Sequence, residues 1–167
     1  MFELKGLSKE GVAAALEKAK HYRLLNEPWE AGSICRDILD VEPDNEEARI
    51  VLLLSLTDQI RAGRDPKALE KARVVVQDLG DEYDRAYYTG IICERSAKAR
   101  LARGGPGSGS VAYDWLRQAM AWYEKAESLR PPGYDDAVLR WNACARMIMG
   151  DESLRPDEDR PVPAFLE

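Results

Sequence analysis

Histidine is almost missing from this chain, cysteine is sparse, and long apolar runs are absent; each shortage excludes a class of function. The one histidine is His21. No serine, cysteine or carboxylate arrangement marks it as a base, so no catalytic residue is expected and the chain does not read as an enzyme. The three cysteines, Cys35, Cys93 and Cys144, are odd in number and far apart. Without short ligand spacing or a second histidine they imply no metal, and they fit reduced core thiols better than a disulfide framework. The glycine-rich stretch GGPGSGS at 104–110 lacks the lysine and following hydroxyl of a phosphate loop, and no strand precedes it, so no cofactor is expected.

Positive charge is also short. Thirty acidic residues face twenty-four basic ones, a formal charge of −6, and no basic block stands out. Phosphate binding needs clustered Lys and Arg, so nucleic acid is not an expected partner. The opening MFELKGLSKEG has no apolar run of signal-peptide length, and no segment approaches the roughly 18 apolar residues of a membrane span. No membrane insertion and a cytoplasmic location are therefore expected.

What the chain does have is a recurring register. In the stretch AMAWYEKAESLRP, residues 119–131, Tyr123, Ala126 and Pro131 follow Ala119 by four, seven and twelve positions. On a helix the first three share a face and the proline ends it. Ala31, Cys35, Ile38 and Pro43 repeat the intervals, and Ala72, Val76, Leu79 and Asp84 repeat them with the proline lost.

Seven helices follow from periodicity and stop signals. Ser8 caps the first, which carries Val12, Ala15, Leu16, Ala19 and Tyr22 inward and ends near Leu25. Asn26 reads as the cap of the second, with Pro28 in its first turn and Pro43 beyond its end. The third opens at Glu46 with EEARIVLLLSLTDQI, in which Ala48, Leu52, Leu53 and Leu56 fall at the apolar and small sites of the repeat family named below. Asp65 caps and Pro66 starts the fourth, which ends at Leu79 with Gly80 as the stop. The fifth runs from about Asp84 to Arg103 through Ala86, Gly90 and Cys93. Residues 104–110 read as a flexible tip, and the sixth helix begins near Val111. Both overrun the repeat length, so Ala97, Leu101, Val111, Trp115 and Leu116 are expected to close a projecting hairpin. The seventh spans about Tyr134–Met149, with Ala137, Trp141, Cys144 and Ile148 on one face. Residues 151–167 form an acidic, proline-rich tail with only Phe165 and Leu166 to bury.

The small residue, aromatic and proline of the second helices resemble the tetratricopeptide repeat family. That resemblance implies an all-α, antiparallel helix-turn-helix solenoid over residues 1–150, with three repeats and a C-terminal capping helix, followed by the tail at 151–167. It also implies a concave groove lined by first helices that receives a peptide or protein segment. Carried residue by residue, the groove takes Lys20, Arg23 and Leu24, then Ile50, Leu54, Thr57 and Asp58, then Tyr87, Ile91 and Arg95, and finally Val138, Asn142 and Arg146. Lys20, Arg23, Arg95 and Arg146 would select acidic partners. The family's carboxylate-gripping branch does not fit, since Leu16 and Lys20 replace its Lys-then-Asn pair and Asp58 repels a carboxylate. Trp29, Trp115, Trp141 and Tyr123 read as packing rather than a ligand platform. The expected function is a non-catalytic adaptor or scaffold binding a protein segment of unknown identity; the alternative is a small chaperone of a secretion or assembly system. The tail is expected either to be solvated or to fold over Arg95 and Arg146. Oligomeric state is left open.

Overall fold

The computed structural model describes residues 1–157 and is all-α, with no strand among them. A 3-10 turn at Lys9–Gly11 leads into α1 (Val12–Leu24), then α2 (Pro28–Val41), α3 (Glu46–Ala62), α4 (Ala68–Gln77), α5 (Glu82–Arg103), α6 (Ser108–Leu129) and α7 (Asp136–Gly150). Each helix packs on the next, α3 also packs on α1 and on α5, and α5 and α6 make the most extensive pair. No helix among the described residues is long and apolar enough to cross a membrane.

All nine apolar positions of the recurring register are buried: Ala31, Cys35, Ile38, Ala72, Val76, Leu79, Ala119, Tyr123 and Ala126 are each at most 1% exposed. Buried side chains form two clusters. One joins α1 to α4 through Leu16, Ile38, Leu53, Leu56 and Val76 and takes Ile92 and Ala99 from α5. The other joins α5 to α7 through Ile91, Leu116, Tyr123, Ala137 and Cys144. The half-buried Tyr88 touches both. Gly90 is fixed by close approach: a Cβ there would lie 2.5 Å from the Tyr123 ring. The three thiols are free and buried.

Local signals set the ends with several corrections. Ser8 caps only the 3-10 turn, without a side-chain bond, and α1 starts at Val12. Asn26 does not cap α2; it ends α1 in the left-handed region at φ 61°. Its N–H donates to the Arg23 carbonyl and that of Glu27 to Tyr22, the paired closure that favours Gly or Asn at this position. Asp65 does not cap α4: its carboxylate accepts from the Lys67 N–H at 2.9 Å in the turn at residues 66–67, Lys67 takes the cap position without a side-chain bond, and α4 begins at Ala68. Asp81, accepting from the Asp84 N–H at 3.1 Å, starts α5 ahead of the expected Asp84.

The tip is shorter than its composition suggests. Gly104 and Gly107 adopt positive φ, but residues 108–110 are already helical. The tail packs on this first turn, where Gly109 faces the Ser153 carbonyl so closely that a Cβ would lie 2.2 Å from its oxygen. Leu154 is buried at 4% in the second cluster, so the tail's beginning docks on the α5–α6 hairpin and does not cross Arg95 or Arg146. Phe165 and Leu166 lie outside the described residues. The hairpin's overhang is not bare: Arg73 of α4 lies over the Trp115 ring at 5.6 Å. The 60–69 segment lines a cavity with Ser96, Ala99, Arg103 and Trp115.

Candidate functional site

The first helices of the successive pairs are tied to one another by ion pairs. Lys20 on α1 reaches Glu47 on α3 at 2.5 Å and its own neighbour Glu17 at 2.8 Å. These two carboxylates hold its ammonium above the usual lysine range. Arg23 donates through Nε to Asp58 Oδ2 at 2.8 Å, and the other Asp58 oxygen faces Arg95 Nη2 on α5 at 3.6 Å. Leu54 sits one helical turn before Asp58 and packs against the second cluster. Tyr87, two turns before Arg95, stacks on Tyr83 at 5.8 Å and tilts against Tyr123 at 5.9 Å. Lys20, Arg23, Asp58 and Arg95 are therefore linked across α1, α3 and α5, while Leu54 and Tyr87, on α3 and α5, pack against the second cluster.

Four expected members of the groove do not belong to this surface. Thr57 is 0% exposed, its hydroxyl donating to the Leu54 carbonyl of its own helix. Ile91 is 2% exposed and part of the core, because α5 is covered by α6 on that side. Asn142 and Arg146 lie on the far side of α7 from its buried Ala137 and Cys144. The residue of α7 that reaches α5 is Arg140, whose Nη1 lies 3.3 Å from Glu94 Oε1. Two residues on a helix turn the side chain by about 200°, which is the size of the register error at Asn142.

At the end of this surface Asn26, Asp58, Arg61, Ala62 and Arg95 line a cavity of about 360 Å³. Two arginines there face one aspartate, and that aspartate is already committed to Arg23 and Arg95. The Arg95 Nε is buried and has no hydrogen-bond partner among the described residues. A buried donor without an acceptor costs roughly 1–3 kcal/mol. The cavity thus sets Arg61 beside an Arg95 that Asp58 holds in place, two guanidinium groups against one carboxylate, an excess of positive charge suited to a carboxylate ligand.

No family model matches the chain, and neither a curated protein nor a solved structure is significantly similar to it.

Sequence reasoning missed Asn26 and Arg61 at this cavity. Asn26 carried a signal that also fits an N-cap, and Arg61 lies in the last turn of α3, where a basic residue is ordinary helix-end chemistry. It also missed Glu94, which is 1% exposed. Its carboxylate accepts from Tyr123 Oη at 2.7 Å and Lys98 Nζ at 2.5 Å, with Arg140 beyond. Burial pushes the carboxyl upward, but Lys98, Tyr123 and Arg140 outweigh it and hold it below its usual range. The i,i+4 spacing of Glu94 and Lys98 was the available signal; nothing local pointed to Arg140. Among the described residues no group of three or more His, Cys, Asp or Glu gathers to hold a metal ion. Of the aromatics, Tyr123 is fully buried, while Trp29, Trp115 and Trp141 are half-buried, Trp141 donating to Glu124 at 2.9 Å.

Proposed function

We propose that the protein is a non-catalytic adaptor, a helical-repeat solenoid of tetratricopeptide type, that binds an acidic segment of another polypeptide across α1, α3 and α5. The observation that carries this reading is the excess of positive charge in the cavity at the end of that surface, where Arg61 and Arg95 stand beside an Asp58 already shared with Arg23. An aspartate or glutamate side chain of the ligand pairs with Arg61 and Arg95 there. Lys20 and Arg23 add little selectivity, because Glu47 and Asp58 already neutralise them. Leu54 and Tyr87 supply apolar contact beside the charged end. The support for repetition is the threefold recurrence of the buried register together with the packing of α3 on both α1 and α5.

Selection from a random twelve-residue peptide library tests it. Enriched peptides should carry Asp or Glu, and binding of the best should fall at least roughly tenfold in Arg95→Met and in Arg61→Ala, as for loss of a charge-assisted bond. Enrichment of peptides without acidic residues, or binding indifferent to both substitutions, overturns the reading.

A further inference from the structure

A second surface shares no residue with the one above. α2 and α4 flank α3 and enclose with it a cavity of about 810 Å³, floored by Leu52 and Leu56. A neighbouring cavity of about 610 Å³ continues past α2 and shares Trp29 and Arg36 with the first. Val74 on α4 is 62% exposed, although α4 is otherwise amphipathic with Ala72 and Val76 buried. The apolar surface the groove presents is therefore that of the exposed Val74 with the half-buried Trp29 and Val75, while Leu52 and Leu56 beneath them belong to the core.

The charge around it opposes that of the chain. The lining carries Arg36, Arg64, Lys67 and Lys71 against Asp65 and Glu70, in a protein of formal charge −6. Asp65 is taken by Lys71 at 2.7 Å, and Arg64 lies over the Trp29 ring at 5.3 Å. Neither Arg36 nor Lys67 makes an ion pair among the described residues. On the α1–α3–α5 surface, by contrast, Lys20 and Arg23 face carboxylates.

The backbone of the groove decides the form of the occupant. Its walls are helices, whose N–H and C=O groups are bonded within themselves, and among the described residues no sheet edge is present to pair with an extended chain. A segment that dries its own backbone there must satisfy it internally, as a helix does. From the apolar floor, the unpaired cations and the helical walls, we infer that this groove docks an acidic amphipathic helix of another protein. Its apolar stripe rests on Trp29, Val74 and Val75, and its carboxylates meet Arg36 and Lys67.

The probe is a fluorescent synthetic helix of about 16 residues with leucine at i, i+3, i+4 and i+7 and glutamate on both flanks, followed by anisotropy on the full chain. Binding should weaken at least roughly tenfold in Arg36→Glu with Lys67→Glu and in Val74→Asp, and fall with salt. All three positions are exposed, and unchanged circular dichroism confirms that the variants fold. In NMR the Trp29 indole N–H should shift on titration while signals of Tyr87 stay in place. Equal binding of a lysine-flanked or sequence-shuffled peptide overturns the inference. So does tighter binding of an oligouridylate, or a concentration-dependent dimer that Val74→Asp dissolves. The Arg61 and Arg95 variants test the other surface separately, so either proposal can fail alone.

Discussion

Replacing Glu94 with alanine removes the acceptor shared by Tyr123, Lys98 and Arg140. The Tyr123 hydroxyl suffers most, because that side chain is 0% exposed and cannot turn to water. Lys98 and Arg140 are 34% and 37% exposed and regain part of their hydration. An orphaned buried hydroxyl costs about 1–3 kcal/mol, and breaking a buried ion pair from one side about 3–5. With two cations half in water, the low end applies, about 3 kcal/mol, or about 6–12 °C in Tm for a domain of this size. Glu94→Gln keeps the volume and one acceptor and should cost about half as much.

Acid adds a second signature. An unperturbed glutamate titrates at 4.5, and the folded chain holds Glu94 below that. The unfolded state therefore binds the proton more tightly in that interval. The stabilisation is fully present above pH 4.5 and is lost as pH falls through the folded value. Urea unfolding followed at 222 nm should show the wild-type margin over Glu94→Gln shrinking across that acid window. A cost below about 1 kcal/mol for Glu94→Ala, or a margin that does not change with pH, refutes the view that this carboxylate is ionised and structurally required.

Gly90→Ala should destabilise by about 1–3 kcal/mol, since the Tyr123 ring it would strike is itself fully buried; an unchanged thermal melt contradicts this. Asn26→Gly should be nearly neutral, whereas Asn26→Ala should cost about 1–2 kcal/mol for a left-handed residue; equal stability of the two variants excludes the proposed helix closure. Burial pushes the thiols of Cys35 and Cys144 up to about 12 and that of Cys93 to about 11. A thiol reagent at pH 8 should leave them largely unreacted in the native protein and modify all three in denaturant; rapid native labelling goes against their burial. Gly109→Ala should displace the Ser153 carbonyl and speed amide exchange at Leu154 without loss of helix content; unaltered exchange shows the tail is held by other contacts.

The spacing of small, aromatic and aliphatic residues by itself determined the helices and their inward faces, because periodicity expresses the geometry of one helix and needs no partner to be read. Ala31, Cys35 and Ile38 were legible as core for that reason, as were the corresponding residues of α4 and α6. The ends were less legible, since asparagine serves equally as an N-cap or as a left-handed terminator, and only the path of the chain after Leu25 chose between them. Position in space belonged wholly to the tertiary structure. It turned Arg140 rather than Asn142 toward α5, buried Ile91 beneath α6, set Glu47 and Asp58 against the cations of α1, and laid residues 153–154 on the hairpin. Each is a meeting of side chains distant in sequence, fixed by how the helices rotate and pack against one another, and no pattern within a single helix encodes that rotation.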